Sequence, residues 1–190
     1  MSGPMIDLDQ FQRRVSHVAR GCPTAVLRDA ILQSAEDFCE RTWLWKDTVG
    51  PVDGEEDRTA YTFAPPRGAA ILAVSDVLVD GLPTGFTSSL RDTVNLYAAP
   101  RDGQAITAMA ALKPSRTAKA LPAILYNEWQ DAIAAGARYK LLSMAGTEWF
   151  NPQLAAQQHL EFERLWVPRA RVEVSHRQGR PLTVHKRRFI

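Results

Sequence analysis

At 190 residues, 45% hydrophobic and 23% charged, the chain has the composition of an ordinary globular protein with room for a real core. A net charge of +2 decides little, and no run of about 18 apolar residues offers a membrane span. Cys22 and Cys39 are too few for a disulfide framework at this length, and a signal-peptide pattern is missing from the first residues, so a reduced cytoplasm is the expected setting.

In chain order, Asp7 or Asp9 is expected to cap a short helix carrying Leu8, Phe11, Val15 and Val18, stopped by Gly21 and Pro23. Thr24 is expected to cap a second helix through about Thr42, with Leu27, Ile31, Ala35, Phe38 and Trp43 on one stripe and Cys39 beside Phe38. Asp47 to Arg58, rich in glycine, proline and acids, reads as a loop or irregular edge. Thr59–Phe63 is a short strand and Ala69–Val79 the strongest one, followed directly by an Asp80-Gly81 turn signal. Pro83 to Asp92 reads as loop, and Thr93–Ala98 and Gln104–Leu112 alternate as strands on either side of Pro100–Gly103.

The connector Lys113–Ala120 leads into Leu121–Gly146, expected as one helix of roughly 36 Å at 1.5 Å per residue. It starts at Pro122 and buries Tyr126, Trp129, Ile133, Ala137, Leu141 and Met144. Its thin middle, Ala132 to Ala137 with Gly136, would let a neighbouring helix come close. Asn151-Pro152 starts a last helix that Pro168 should kink or end, with helix resuming to about His176. Arg180–Ile190 is extended, with Leu182, Val184 and Phe189 set among Arg180, His185, Lys186, Arg187 and Arg188.

The expected fold class is thus α+β: a bundle of about four helices (1–44 and 114–178) carrying an inserted antiparallel β unit of four or five strands (45–113), then a tail (179–190). Charge is uneven. Asp53, Glu55, Glu56 and Asp57 crowd an acidic loop, whereas Arg164 to Arg188 holds eight basic residues against Glu173 alone.

Catalytic signals are thin, and no catalytic residue, cofactor or metal is expected. The four histidines share no metal-ligand spacing, and no phosphate-cradling glycine loop occurs. His159 with Glu163, one helical turn apart, is the nearest thing to a hydrolase site, and two side chains on one helix do not make converging ligands. Cys39 on an apolar stripe reads as a small hydrophobe. The five tryptophans fall on helix faces or ends, where packing accounts for them better than base stacking does.

Five phrases in collinear order carry a resemblance: GCPTAVLRDAILQSAEDFCERTWLW, VLVDGLP, ALKPSRTAKALP, GTEWFNPQLAAQQHLEFE and RPLTVHKRRF. Together they resemble the head-to-tail adaptors, or head-completion proteins, of tailed bacteriophages and prophages, of the tail-tubular-protein-A-like type. The resemblance implies a non-enzymatic ring of twelve copies at the head–tail junction of a virion, held between a portal protein and the tail or nozzle. DNA would pass through its channel non-specifically. Carried onto this chain, the portal-docking segment would be Arg180, Pro181, Leu182, Val184, Lys186, Arg187, Arg188 and Phe189. Asp53, Glu55, Glu56 and Asp57 would face a neighbouring subunit or the tail. Pro168 departs from the uninterrupted last helix of such proteins. The alternative class is a nucleic-acid-binding module using the basic C-terminal region.

Overall fold

The long strands set the frame. In the computed structural model, which describes residues 3–178, Ala69–Val79 (β4) and Ala105–Pro114 (β8) pair antiparallel from Ala69↔Pro114 to Val79↔Ile106, with two register shifts. Lys46–Asp53 (β2) adds to the other edge of β8, and Leu82–Thr84 (β5) folds back on β4, giving the order β2-β8-β4-β5. Asp80 and Gly81 make the β4–β5 turn with φ of 48° and 79°. Such angles suit an Asp-Gly pair, because glycine has no Cβ to clash there.

Ala60–Thr62 (β3), Thr93–Leu96 (β7) and Phe86–Ser88 (β6) form a second sheet in the order β3-β7-β6. Met5–Asp7 (β1) pairs with Ala120–Pro122 (β9), tying the N-terminal end to the end of the connector.

The helices are Leu8–Gln12 (α1), Thr24–Thr42 (α2), Ala123–Asn127 (α3), Gln130–Leu142 (α4) and Pro152–Gln178 (α5). Ile106, Ala108, Ala110 and Leu112 alternate onto the buried face of β8, and α2 packs against this strand. Leu27, Ile31, Ala35 and Phe38, all buried, form the core stripe of α2. α4 lies against both α2 and α5. Where they meet, a Cβ on Gly136 would stand 2.2 Å from Ser34 Oγ and 3.1 Å from the Phe162 ring, so only glycine admits this approach. The thin middle expected of this helix is real.

The expected fold class is overturned. Among the described residues the protein is mixed α/β, with five α-helices and nine strands in three antiparallel sheets and 29% strand, and is not a bundle of about four helices. Three misreadings account for the difference. First, the acidic stretch after Trp45 contains a true strand, β2, whose alternation is hidden by Gly50-Pro51. The register shifts between Val49 and Val52, which places the proline at an irregularity where no ladder donor is required. Second, Pro83–Asp92 yields β5 and β6, three residues each and too short for a periodicity to show.

Third, the 26-residue helix is broken. β9 takes its start, and Glu128 and Trp129 interrupt it, Trp129 with φ −127° and ψ 13°. The break turns Tyr126 edge-on to Phe11, at 5.2 Å between ring centroids, and Trp129 onto Phe38 at 5.3 Å. Aromatic packing of that kind contributes about 0.5–1.5 kcal/mol beyond area burial, comparable to the hydrogen bonds a continuous helix would keep. Conversely, α5 runs unbroken through Pro168, where a kink or stop was expected.

Of the three expected helix caps, two are found and one is displaced. Asp7 caps α1, its carboxylate accepting from the Asp9 amide at 2.9 Å. Asn151 caps α5, accepting from the Leu154 amide at 3.0 Å. Pro23, not Thr24, is the cap residue of α2.

Candidate functional site

The acidic residues singled out in the sequence come together at one end of β8. Asp53 pairs with Ala105 at the start of that strand, and Gly54 to Arg58 loops beyond it. Gly54 donates to the Gln104 carbonyl at 2.8 Å, Gly103 donates back to the Gly54 carbonyl at 3.0 Å, and the Glu56 amide donates to an Asp102 carboxylate oxygen at 2.6 Å. The loop is also anchored from below: the buried Tyr61 hydroxyl accepts from the Glu55 amide at 3.0 Å. A Cβ at Gly54 would lie 2.9 Å from the Arg101 carbonyl, so the two loops touch backbone to backbone.

Asp80 belongs to the same end, its carboxylate accepting from the Ala105 amide and from Gln104 Nε2, both at 2.9 Å. Six carboxylates therefore gather here, Asp53, Glu55, Glu56, Asp57, Asp80 and Asp102, against the guanidiniums of Arg58 and Arg101. Arg58 is engaged with Glu55 at 2.7 Å and lies over the Tyr61 ring. Sequence reading found four of the acids. It missed Asp80 and Asp102, which only the β4–β8 and β2–β8 registers bring alongside.

At the opposite end of β8 the chain passes through Pro114 into the connector, and the Ser115 amide donates to the Gly68 carbonyl at 3.0 Å. Two hollows of about 410 and 550 Å³ flank this connector and share Thr117, Ala118 and Lys119 as the ridge between them. Arg116, Lys119 and Arg67 stand exposed around them. Arg28, in the wall of the smaller hollow, is held by Asp9 through bonds of 2.7 and 2.6 Å. Those bonds keep the Asp9 carboxyl below its ordinary pKa. This basic end carries no sequence motif, because Arg67 and Arg116 are 49 positions apart and are brought to one end of the sheet only by the β4–β8 pairing.

The portal-docking residues Arg180, Pro181, Leu182, Val184, Lys186, Arg187, Arg188 and Phe189 lie outside the described residues. Of the basic C-terminal series, Arg164 is engaged with Glu161 through two bonds of 2.9 and 2.7 Å.

The pairs considered for chemistry do not assemble. His159 Nε2 lies 3.6 Å from Glu163, its ring stacks on Tyr139 at 4.6 Å, and among the described residues no three His, Cys, Asp or Glu side chains converge on a metal position. Cys39 is fully buried on α2. Desolvation, reinforced by Glu40 and Glu36 and opposed by Lys113, pushes its thiol well above the ordinary value, so it is held protonated and unreactive. No described helix is long and apolar enough to cross a membrane.

No protein-family model matches the chain, and the search among curated proteins returns no match.

Proposed function

We propose that this chain is a non-enzymatic virion protein, the subunit of a head-to-tail adaptor ring of a tailed phage or prophage. The observation that carries the reading is the collinear run of five phrases from Gly21 to Phe189, which spans most of the chain in the order found in such adaptors. In this reading twelve copies sit between portal and tail at the head–tail junction, after synthesis in the bacterial cytoplasm. DNA passes the channel without base contacts, held only by weak, salt-sensitive attraction, since tight phosphate binding would stall its passage.

The tail after Gly179 would make the portal connection. Leu182, Val184 and Phe189 would fill pockets, while Arg180, Lys186, Arg187 and Arg188 meet acidic groups. Removing residues 180–190 should leave the circular-dichroism spectrum and melting of the domain intact and abolish capture by the portal. An unchanged pull-down would overturn the docking assignment.

The run of eight basic residues from Arg164 to Arg188 favours a second reading, a nucleic-acid-binding module. Salt-dependent retardation of a short DNA duplex by the isolated monomer is its signature, whereas the adaptor reading expects weak or no retardation before assembly.

A further inference from the structure

We propose that successive copies of this chain join head to tail, the acidic end of β8 on one copy seating in the basic hollows at the other end of β8 on the next. The inference deepens the ring reading and rests on it for closure, but the contact itself is argued from the charge and shape of the two ends.

β8 is ten residues long, so its ends stand roughly 30 Å apart. Across that span a subunit cannot bring its own acidic end onto its own basic end, whereas a second copy can. Two different, complementary patches on one chain are what a heterologous interface requires. Repeating such a contact gives a closed ring when the rotation closes and an open chain when it does not.

Each end is shaped for its part. The acidic end is a pair of loops pinned to each other through Gly54, Gly103 and the Asp102–Glu56 bond, so its backbone has little conformational freedom left to lose on docking. Asp53, Glu56 and Asp57 are exposed there. The receiving end is concave and half apolar: Leu8, Ala25 and Leu32 contribute to the 410 Å³ hollow beneath Arg116 and Lys119. Among the described residues, no carboxylate forms an ion pair with Arg67, Arg116 or Lys119, whereas Arg28 beside them is already matched by Asp9.

A polyanion such as duplex DNA fits these hollows less well than a protein loop. The apolar floor of Leu8, Ala25 and Leu32 has nothing to offer a phosphate backbone, while Asp7 and Asp29 in the wall oppose any anion that reaches past the rim cations. A short acidic loop meets the cations and covers the floor.

The test uses the full chain and two charge-reversed variants, Asp53→Lys with Glu56→Lys at the tip and Arg116→Glu with Lys119→Glu at the hollow, all four positions being exposed. Sedimentation velocity at about 50 mM salt, where exposed charges are weakly screened, should show the parent associating. Each variant alone should associate about tenfold or more weakly, because like charges now meet.

An equimolar mixture should recover the parent's association, since every tip then finds a hollow of opposite sign, and native mass spectrometry should show alternating, even-numbered species. Matching melting curves establish that the variants are folded, and recovery in the mixture proves it independently. A parent that stays monomeric, a variant that associates like the parent, or a mixture that fails to recover would each overturn the contact. If the hollow variant lost only affinity for a short DNA duplex, the hollows would be a phosphate surface and the proposal would fall. Recovered association that yields open chains would keep the contact and sink the ring. Closed particles from the parent and both variants alike would keep the ring and sink the contact.

Discussion

Gly136 occupies the middle of α4, where glycine ordinarily costs a helix about 1 kcal/mol relative to alanine. Its presence is explained by what it faces. Ser34 on α2 donates its hydroxyl to the Ile133 carbonyl at 2.8 Å, and a Cβ on residue 136 would collide with the Ser34 Oγ itself. Gly136→Ala should therefore destabilise the protein by about 1–3 kcal/mol in urea unfolding, overpacking outweighing the gain in helix propensity. Ser34→Ala removes both the hydrogen bond and the obstructing oxygen, at a cost of about 1 kcal/mol. Since the two positions share one collision, the double variant should lose clearly less than the sum of the single losses. Strict additivity, or a stabilised Gly136→Ala, would show that the close approach is not what keeps glycine there.

Asn151 illustrates how an element boundary is written locally. Its carboxamide oxygen accepts from the Leu154 amide, its carbonyl accepts from Ala155 at 2.9 Å, and Pro152 follows where no amide donor is needed. Asn151→Ala should cost about 1 kcal/mol in equilibrium unfolding, with Asn151→Asp nearly neutral because aspartate caps equally well. Equal losses from the two would assign the residue to packing instead. Signals of this kind made α2, β4, the Asp80-Gly81 turn and the start of α5 legible in the sequence, because each depends on residues within a few positions. The rest depends on partners far along the chain. Tyr126 and Trp129 keep helical spacing while the backbone between them breaks, since Phe11 and Phe38 decide where they point. β2 hides behind Gly50-Pro51 and is held by β8 from Lys46↔Ala111 to Asp53↔Ala105. The acidic loop could be read from residues 53–57 alone, but its opposition to a basic end could not, for that is a property of the registers on β8.

Sequence reading divides the chain into helices and a β insert, yet a contiguous hydrophobic core runs through both, from Phe11, Ile31 and Phe38 to Ile106, Leu112 and Val77. α2 packs on β8, and Lys113 of β8 reaches across to Glu36 and, at 2.6 Å, to Glu40. With its core shared in this way, the β unit should not melt separately: near- and far-ultraviolet circular dichroism should trace one coincident transition. Lys113→Met keeps the apolar stem but leaves two carboxylates facing each other one turn apart, and should lower that single transition by about 1–2 kcal/mol. The pH dependence fixes the origin of the loss. Burial pulls the Lys113 pKa down, but hydrogen bonds from the ammonium to Glu36 and Glu40, with their negative charge, outweigh it and leave it above the ordinary 10.5. A lysine whose folded value is raised contributes stability that is complete below 10.5 and disappears as pH climbs through the folded value. The gap between parent and Lys113→Met should thus hold steady from about pH 7 to pH 9 and close in more alkaline solution. A gap that stays open there would mean the stem's packing, not the charge, joins strand to helix. Two separate transitions would mean the shared core does not couple them at all.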